Sequence, residues 1–516
     1  EKVYDKGYKK DLMNVLFITK DVDFIAPIGL MYVAAVTKKA GHKTDLCVLD
    51  KEDLFAKIES FNPDVIAYSS TTGEHMYYLE INKLIKVKYN KIFTIMGGSH
   101  PTFFPEVLKE SSLDAICIGE GEVAFVKMLD RLSQGKDLTN VKSIVTRSGD
   151  TKRINGKPVL EPLIQKLDEL PFPDRDIFYE NKAVMSESVD GTIKIMNFVT
   201  SRGCPYNCSY CFNHALKNMY PGEKFVRKHS IDNVLKQLSD AKRKFNFQFI
   251  RFNDDIFVMR RRDELEELAE RYPKEVGVPF YIHCRFDIIK PITAKLLKKA
   301  GCVIIQMSIE SPNEKLRKHI LHRPMDNAKI KEGVDICHNA GLNVLAYSML
   351  GLPTSSIQDD IDVVDFCINN RIKLAQFPIF APYPKTEITD YAIKKGYFDG
   401  DFSSIEMYLD AKKSKLSQFS EKEKNIQLNI QVLGPIVLRY PWLRNIVLNR
   451  LIYWTPNKIF ERISILNKLI TYQTEVYKRK YSIKERMILF LRGLGREKTK
   501  RGGEEFGHKK TKNVLT

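Results

Sequence analysis

The sequence predicts an α/β protein with two parallel-sheet domains followed by a helical region. Its 516 residues exceed what one hydrophobic core usually organises, so two or three domains are expected. Apolar strand-like runs alternate with helix-length amphipathic segments, first from Asn14 to about Leu132 and again from Lys194. Such alternation is typical of βα units on parallel sheets. Beyond about Gly400, helix-period apolar patterns replace the strand signals.

The first series predicts a doubly wound sheet of the flavodoxin or Rossmann type. Its strand-like runs are NVLFI, TDLCVL, DVIAYSS, FTIMGG and AICIG, and the helix-like segment GLMYVAAVTKKAG lies between the first two. In open α/β sheets the ligand sits outside the carboxyl ends of the strands, where small-residue turns let the backbone come close to it. The candidate binding residues in these turns are Ser69, Ser70, Gly97, Gly98, Gly119 and Glu120.

The second series predicts a partial (β/α)6 barrel, whose active site would lie at the carboxyl ends of the strands. Its six strand-like runs are KIMNFVTS, FQFIRFNDDIF, VPFYIHCRF, VIIQMSIES, LNVLAYSML and KLAQFPIFAPYP. The predicted domains are residues 12–140 and 191–400, joined by a linker at 141–190 in which prolines and charges interrupt regular structure. A helical domain at 401–494 and a charged tail at 495–516, expected to be disordered, complete the chain.

Composition argues against several classes of protein. Nine cysteines in 516 residues, three of them within eight positions, do not form the pattern of a secreted disulfide scaffold, so a reducing cytoplasm is expected. No apolar run reaches the roughly 18 residues that a membrane-spanning helix needs. The net charge of +18 permits a nucleic acid or an anionic membrane as partner. Because no nucleic-acid-binding module accompanies the charge, no nucleic-acid partner is expected.

The segment TSRGCPYNCSYCFNH places Cys204, Cys208 and Cys211 directly after the first strand of the second series. Spacings of four and three let one loop offer three thiolates to three irons of a cubane cluster, and the fourth iron stays open. The alternative is a structural zinc site with His214 as the fourth ligand. The position at the mouth of a βα series favours the cluster, because structural zinc sites usually lie in knuckles or ribbons.

With Tyr210 before its last cysteine, this segment resembles the CxxxCxxC motif of the radical S-adenosylmethionine (SAM) superfamily. The resemblance covers roughly residues 194–390. It implies a [4Fe-4S] cluster on which SAM is cleaved reductively to a 5′-deoxyadenosyl radical that abstracts hydrogen from the substrate. It also implies an electron donor such as flavodoxin or ferredoxin.

Several other strand-end segments resemble the SAM contacts of that superfamily. FNDD stands where the family binds the SAM amino group, and SIES stands where the family has a SAM-contacting glutamate. MLGLP resembles the turn after the fifth strand, which in the family runs past the adenine of SAM. Ser308 replaces the usual glycine of the second motif. Arg323 is a candidate partner for the SAM carboxylate, with a solvated surface arginine as the alternative. Arg285 either faces the cluster or the substrate, or packs inside the barrel. The implied SAM-binding residues are Tyr210, Asn253, Asp254, Asp255, Glu310, Arg323 and Gly351.

The first 132 residues resemble the cobalamin-binding domain found ahead of the barrel in class B radical SAM methyltransferases. The matching segments are APIGLMYVAAVTKKAGH, DVIAYSS, MGGSHPTFFPE and CIGEGE. In that family the small-residue turns named above cradle the nucleotide tail and the lower face of the corrin. KDVDF stands where a DxHxxG motif would follow the first strand, so a histidine ligand to cobalt is not expected. A flavodoxin-like sheet that serves a nucleotide or a protein partner is the alternative.

Together the two resemblances imply an enzyme that uses cobalamin to methylate an unactivated carbon. In that family a second SAM would remethylate the reduced cobalt. The alternatives are a cobalamin-dependent cyclisation or rearrangement, and a noncatalytic cobalamin-binding or metal-binding protein with a decayed barrel. The intact set of three cysteines argues against the noncatalytic alternative. No residue that acts directly on the substrate is identified from the sequence.

Residues 435–468 interleave apolar, aromatic and basic side chains and contain both tryptophans of the chain. This pattern suits an interfacial helix, which would imply peripheral membrane contact and a lipid-like substrate. The alternative, favoured on the pattern alone, is a set of helices that pack on the barrel and shape the pocket of a small-molecule substrate. Arginine and lysine side chains would then extend outward into water.

Overall fold

The computed structural model describes residues 12–20, 27–147, 153–154, 157–179, 186–187, 193–402 and 413–477. The chain divides into two compact units. Unit 1 comprises Glu1–Ser186, Asn197–Pro205 and Phe212–Phe245, and unit 2 comprises Glu187–Met196, Tyr206–Cys211 and Asn246–Thr516. The first cysteine of the motif therefore belongs to unit 1, and the other two belong to unit 2.

Unit 1 contains a mostly parallel six-stranded sheet. Its strands are β1 (Asn14–Thr19), β2 (Lys43–Val48), β3 (Val65–Ser69), β4 (Phe93–Gly97), β5 (Ala115–Cys117) and β6 (Ile144–Thr146), in the order β2-β1-β3-β4-β5-β6. The first five strands pair in parallel, and β6 pairs antiparallel with β5. This order is that of a flavodoxin-like fold, so the predicted doubly wound sheet is confirmed.

Helices cover both faces of this sheet. They are α1 (Ile28–Lys39), α2 (Leu54–Phe61), α3 (His75–Lys88), α4 (Ser99–Phe103) and α5 (Glu122–Leu132), with a 3-10 turn at Pro105–Leu108. Alternate residues of β1 point to opposite faces. Val15 and Phe17 join a core with α1 and α5, whereas Leu16 and Ile18 join a core with α2 and α3. Burial on both faces explains why these strands read as continuous apolar runs.

Most of the described part of the predicted linker belongs to unit 1. Its elements are β7 (Arg153–Ile154), β8 (Lys157–Pro158), a 3-10 turn at Leu167–Glu169 and α6 (Asp176–Tyr179). Asp174 pairs with Lys38 of α1 at 2.7 Å between Oδ2 and Nζ, and its N–H donates to Met31 O at 3.0 Å. Residues 157–179 therefore belong to the packing of this unit, while the domain boundaries at 141 and 190 stay predictions.

Unit 1 also includes the chain that follows the first cysteine. Its elements are β11 (Ser201–Arg202), α7 (Phe212–Asn218), β12 (Arg227–Lys228) and α8 (Ile231–Lys244), and β11 pairs antiparallel with β12. The buried His229 lies between Asp168 Oδ1, 2.9 Å from its Nδ1, and the Tyr32 hydroxyl, 3.1 Å from its Nε2. This chain of three side chains connects α1, the 3-10 turn and the start of α8.

The second sheet has seven strands. They are β9 (Ser186–Glu187), β10 (Lys194–Phe198), β13 (Phe249–Phe252), β14 (Phe280–Cys284), β15 (Cys302–Glu310), β16 (Asn343–Ser348) and β17 (Leu374–Gln376), in the order β17-β16-β15-β14-β13-β10-β9. Strands β13 to β17 pair in parallel. The later connecting helices are α9 (Arg262–Glu275), α10 (Pro291–Ala300), α11 (Glu314–His319), α12 (Asn327–Asn339), α13 (Ile357–Asn369) and α14 (Glu387–Lys394). All six predicted strands are present, which confirms the partial (β/α)6 series.

The described C-terminal region is helical, as predicted. It contains α15 (Glu421–Arg439), α16 (Arg444–Asn449) and α17 (Lys458–Thr471), with short 3-10 turns at Pro441–Leu443 and Leu451–Tyr453 and a π turn at Tyr472–Tyr477. Ser420 begins α15 with a capping box, because its hydroxyl accepts from Glu423 N–H and Glu423 accepts from Ser420 N–H. None of the described helices combines the length and apolarity needed to cross a bilayer. The predicted tail at 495–516 lies outside the described residues.

Candidate functional site

A cavity of about 310 Å³ lies in unit 1 at the carboxyl edge of the sheet. Five of the six predicted turn residues line it, namely Ser69, Gly97, Gly98, Gly119 and Glu120. Other walls are apolar side chains from β1, α1, β4 and α5, including Phe17, Leu30, Val33, Ile95 and Phe125. The strand order reverses between β1 and β3, which is where sheets of this type bind their ligands.

Two of the turns meet backbone to backbone at Gly98. Its φ is +95°, a conformation that side-chain-bearing residues rarely adopt. A Cβ atom at this position would lie 2.6 Å from Ser70 O and 2.8 Å from Ser70 N. Ser70 is outside the cavity lining, but its N–H donates to Gly97 O and its carbonyl accepts from His100 N–H, each at 3.0 Å. Ser70 therefore supports the turn that lines the cavity.

Charge in the cavity is confined to one compensated cluster. Glu120 accepts from Arg227 at 2.9 Å and pairs with Arg202 at 3.2 Å, while Arg202 also binds Glu122 at 2.5 Å. Burial tends to raise the pKa of the Glu120 carboxyl, but Arg202 and Arg227 outweigh it and hold that pKa below its usual value. The Arg202 guanidinium also lies 5.0 Å from the ring centroid of Tyr32. The Glu120 carboxylate is thus held by arginines at the rim of an apolar cavity.

The described lining fits a planar apolar group held by backbone turns, such as the base of the nucleotide tail of cobalamin. It contains no histidine among the residues that the structure describes. Of the KDVDF segment, only Lys20 is described, so the predicted absence of a histidine ligand to cobalt stays a prediction for this loop. The cavity therefore brings five of the six predicted binding residues to one site, and their contacts with cobalamin stay a prediction.

The cysteine loop is anchored by backbone contacts. Cys208 is buried, and Cys204 and Cys211 are half-buried. Ser209 fixes the loop within unit 2, because its N–H donates to Leu321 O at 3.1 Å and its hydroxyl donates to Ile320 O at 2.6 Å. Among the described residues no three His, Cys, Asp or Glu side chains converge as a preformed metal site. The three thiolates are nevertheless the donor set that an iron–sulfur cluster requires.

Arg285 lies against the cysteine loop. Its Nη1 is 3.9 Å from Cys208 Sγ, and its guanidinium carbon lies 3.7 Å from the ring centroid of Tyr206. Asp287 orients the group through two bonds, at 2.9 Å to Nε and 2.6 Å to Nη2. Burial tends to raise the pKa of Asp287, but the Arg285 guanidinium outweighs it and lowers that pKa. Of the roles left open by the sequence, the structure places Arg285 beside a predicted cluster ligand.

Three predicted SAM-binding residues meet at the end of β15. The Tyr210 hydroxyl donates to Glu310 Oε1 at 2.6 Å, and Arg323 Nη1 donates to the Tyr210 hydroxyl at 3.4 Å. Arg323 Nη2 also donates to Ser308 O at 2.8 Å. Glu310 itself has a φ of +66°, next to a register shift in the β15–β16 pairing. The sequence alone could not bring these residues, up to 113 positions apart, into one cluster.

This cluster retains unused hydrogen-bonding capacity. Arg323 is only 5% exposed, so the surface-arginine alternative is wrong. Its Nε is a buried donor that has no hydrogen-bond partner among the described residues. Burial raises the pKa of the Glu310 carboxyl, although Arg323 opposes the shift. A ligand with both a carboxylate and an ammonium group, as in the methionine part of SAM, would satisfy Arg323 and favour the ionised form of Glu310.

The remaining predicted SAM contacts lie at neighbouring strand ends. Asn253, Asp254 and Asp255 follow β13, and the buried Asp254 accepts a 2.9 Å hydrogen bond at its carbonyl from His283 Nδ1. Gly351 follows β16 with a φ of +66°. The β16 turn is joined to the Glu310 cluster, because Met349 N–H donates to Glu310 O at 3.1 Å.

Two residues not predicted from the sequence support the Gly351 turn. The buried Asp360 of α13 accepts from Gly351 N–H at 3.0 Å, and Gln427 Nε2 of α15 donates to Asp360 at 3.1 Å. A Cβ atom at Gly351 would lie 2.9 Å from the Gln427 amide nitrogen. Arg202 was likewise not predicted as a cavity residue. The only sequence feature that could have drawn attention to Arg202 is its position two residues before Cys204, because its pairing with distant glutamates is not encoded in a local motif.

Comparisons with protein-family models agree with the two predicted domains. Residues 16–129 match the B12 binding domain, and residues 198–367 match the Radical SAM superfamily. The predicted [4Fe-4S] cluster, SAM and cobalamin are thereby confirmed as the cofactors of these domains. The zinc-site alternative for the cysteine motif and the nucleotide-binding or partner-docking alternative for the first domain are replaced by these matches.

Relatives cover most of the chain. An uncharacterized methyltransferase of Pyrococcus horikoshii is 28% identical over 376 residues, which are 71% of this chain and 78% of the relative. The hopanoid C-3 methylase of Methylococcus capsulatus is 24% identical over 386 residues, covering 72% of this chain and 70% of that enzyme.

Solved structures share the fold. The radical SAM methyltransferase TsrM from Kitasatospora setae, with cobalamin and a [4Fe-4S] cluster bound, has a TM-score of 0.60 at 13% identity and covers 74% of this chain and 78% of its own. The cobalamin-dependent radical SAM enzyme OxsB, with aqua-cobalamin and SAM bound, has a TM-score of 0.61 at 17% identity and covers 94% and 84%. With a B12 binding domain ahead of a Radical SAM domain, this chain belongs to the cobalamin-binding radical SAM enzymes.

Proposed function

We propose that the enzyme transfers a methyl group to an unactivated carbon of a small molecule, with electrons supplied by a flavodoxin or a ferredoxin. The observation that carries the proposal is the cluster in which Tyr210 of the cysteine motif meets the buried Glu310 and Arg323, and which has capacity for an amino-acid zwitterion. The methyltransferases and methylases among the relatives support the same reaction class.

In this proposal the SAM-binding residues act through charge and orientation. The Arg323 Nε donor binds the carboxylate, and the second oxygen of Glu310 accepts from the ligand, since its first oxygen is already bonded to Tyr210. Asn253, Asp254 and Asp255 bind the amino group, and the Gly351 turn passes the adenine. Asp360 and Gln427 hold that turn in its left-handed conformation.

The cysteine loop and the cavity would hold the two metal cofactors. Cys204, Cys208 and Cys211 ligate the cluster, while the turns at Ser69, Gly97, Gly98 and Gly119 hold cobalamin, with Ser70 and Glu120 supporting them. When bound, the cluster supplies the electron that cleaves SAM reductively, and cobalamin supplies the methyl group. Arg285 compensates the negative charge of the thiolate at Cys208.

The test uses anaerobically reconstituted protein with hydroxocobalamin, a reductant and SAM, and measures 5′-deoxyadenosine and S-adenosylhomocysteine. Methyl transfer is expected to form both products in comparable amounts once substrate is present, because one SAM yields the radical and another donates its methyl group. SAM labelled with a deuterated methyl group, incubated with a small-molecule extract, would identify the methylated product by mass.

Control variants separate the alternatives. Cys208→Ala is expected to abolish 5′-deoxyadenosine formation, whereas Cys337→Ala, a buried cysteine outside the motif, is expected to preserve it. Substrate turnover with 5′-deoxyadenosine but no S-adenosylhomocysteine would indicate cyclisation or rearrangement instead. Failure of the reconstituted wild type to consume SAM would support the noncatalytic alternative.

A further inference from the structure

The C-terminal region exposes an unusual share of large apolar side chains. Of the fourteen large hydrophobic side chains that are exposed among the described residues, seven lie between residues 440 and 463. They are Tyr440, Trp442, Ile446, Tyr453, Trp454, Ile459 and Ile463. Trp442 is 75% exposed and Trp454 59%, and these are both tryptophans of the chain. Exposing the large apolar surface of tryptophan to water is unfavourable, and a group of such exposed side chains typically marks an interaction site.

These side chains project from an anchored backbone. The buried Asn429 of α15 donates from Nδ2 to Ile452 O at 3.0 Å and to Trp454 O at 2.7 Å. Ile459 and Ile463 lie one helical turn apart on α17, and therefore on one face of it. The 3-10 turn at Leu451–Tyr453 buries Ile452, and α17 buries Phe460. The exposed side chains are thus presented by elements that have a packed inner side of their own.

Positive charge surrounds these apolar groups. Residues 440–470 contain five Lys or Arg and one acidic residue, Glu461. Arg450, Lys458 and Arg462 are exposed. Arg444, by contrast, is paired with Asp365 at 2.5 Å between Nη2 and Oδ2. We call the exposed apolar residues 440–463 together with Arg450, Lys458 and Arg462 the aromatic-basic surface.

We propose that the aromatic-basic surface docks the enzyme on an anionic lipid bilayer. Tryptophan and tyrosine have an apolar body and a polar edge, so they are stable at the level of lipid headgroups. Lysine and arginine near such a surface gain from the negative potential of anionic headgroups. The surface provides both contributions on neighbouring elements, which is what reversible peripheral binding requires.

Charge argues against two other partners for the aromatic-basic surface, namely a second copy of the chain and residues 478–516. In a symmetric dimer the surface would face its own copy, which would bring like charges together. Residues 478–516 contain thirteen Lys or Arg and four Glu, so a contact between this segment and the surface would also be repulsive. An anionic bilayer is the occupant whose charge complements the surface. The inference is independent of the proposed reaction, because vesicle binding needs no turnover.

The test is cosedimentation of the full-length holoenzyme with vesicles of phosphatidylcholine, alone or with phosphatidylglycerol. Binding is expected with the anionic vesicles, with little on neutral ones, and it should weaken as salt is raised. Lys458→Glu/Arg462→Glu is expected to lower vesicle affinity by roughly thirtyfold or more, since each lost cation contributes about fivefold. Trp442→Ser/Trp454→Ser is expected to lower it at least tenfold. Val87→Ser, an exposed apolar residue of unit 1, should bind like the wild type.

Three results would overturn the proposal. One is binding of the wild type that does not depend on anionic lipid. Another is a concentration-dependent dimer in sedimentation velocity that the tryptophan variant abolishes, which would assign the surface to a second copy. The third is a full-length chain that does not bind, together with a chain ending at Tyr477 that does, which would assign the surface to residues 478–516. Because all substitutions are at exposed positions, circular dichroism should show unchanged folding.

Discussion

The Tyr210 hydroxyl donates a 2.6 Å hydrogen bond to Glu310 Oε1, so the residue before the third motif cysteine is joined to the end of β15. Glu310 is buried and Tyr210 is partly buried, and Arg323 adds a positive charge beside them. The bond therefore couples the loop that carries the predicted cluster ligands to the carboxylate predicted to contact SAM.

We expect Tyr210→Phe to weaken SAM binding about tenfold, which corresponds to ~1.4 kcal/mol for the lost hydrogen bond to Glu310. Equilibrium dialysis with labelled SAM would measure it on protein of equal iron content. Tyr391→Phe in α14 provides a matched tyrosine control and should bind SAM normally. An unchanged affinity of Tyr210→Phe would contradict the role given to this contact.

Arg285→Met is expected to lower the reduction potential of the cluster. A cation 3.9 Å from Cys208 Sγ stabilises the more negative, reduced state, and cluster potentials depend on nearby charge and hydrogen bonds to sulfur. A loss of about tenfold in the one-electron equilibrium corresponds to ~60 mV. A redox titration followed by electron paramagnetic resonance measures the shift. Arg285→Lys keeps the charge and should shift the potential less, whereas equal potentials in all three proteins would refute the assignment.

The buried Asp360 is expected to make the free energy of unfolding depend on pH. Burial raises the pKa of its carboxyl to about 7, while an unfolded aspartate titrates near ~3.9. Between these values the unfolded chain loses a proton that the folded chain keeps, so stability from this group falls as pH rises from about 4 to about 7. Asp360→Asn removes this slope and keeps an acceptor for Gly351 N–H.

At pH 8 we therefore expect Asp360→Asn to be more stable than the wild type by ~2 kcal/mol, with a smaller difference at pH 5. Urea unfolding of the cofactor-free chain at the two pH values provides the measurement. Asp362→Asn, two residues along the same helix and exposed, should show no such difference. A variant that is equally destabilised at both pH values would mean that Asp360 acts as an ion.

The adjacent glycines of the β4 turn should respond differently to alanine. A Cβ at Gly98 would overlap the Ser70 backbone and its φ is +95°, whereas a Cβ at Gly97 would be 3.7 Å from its nearest neighbour, Cys117 Cβ. Gly98→Ala is expected to cost ~2–4 kcal/mol and to abolish corrin binding, because the turn must move. Gly97→Ala should cost less than ~1 kcal/mol. Denaturation and absorbance titration with hydroxocobalamin would compare them, and equal behaviour would contradict the close approach.

The sequence was sufficient for the parts of this protein that local pattern encodes. Strands buried on both faces must be apolar along their whole length, so the runs in the two series located five of the six strands of the first sheet and six of the seven of the second. The remaining strands, β6 and β9, lie in the segment predicted as a linker. The cysteine motif was also recognisable from local sequence, because all three predicted cluster ligands lie in one loop directly after a strand. The turn residues Ser69, Gly97 and Gly98 could be selected since parallel strands end at one edge of the sheet.

Tertiary structure alone decided which distant residues meet. Arg323 contacts Tyr210 across 113 positions, Gln427 contacts Asp360 across 67, and Arg202 pairs with Glu122 across 80. Such pairs depend on the packing of whole elements, and no local periodicity encodes them. The same holds for exposure. The pattern of residues 435–468 favoured packed helices over an interfacial helix, and only the tertiary structure showed that Trp442 and Trp454 face outward, because burial depends on what the rest of the chain covers.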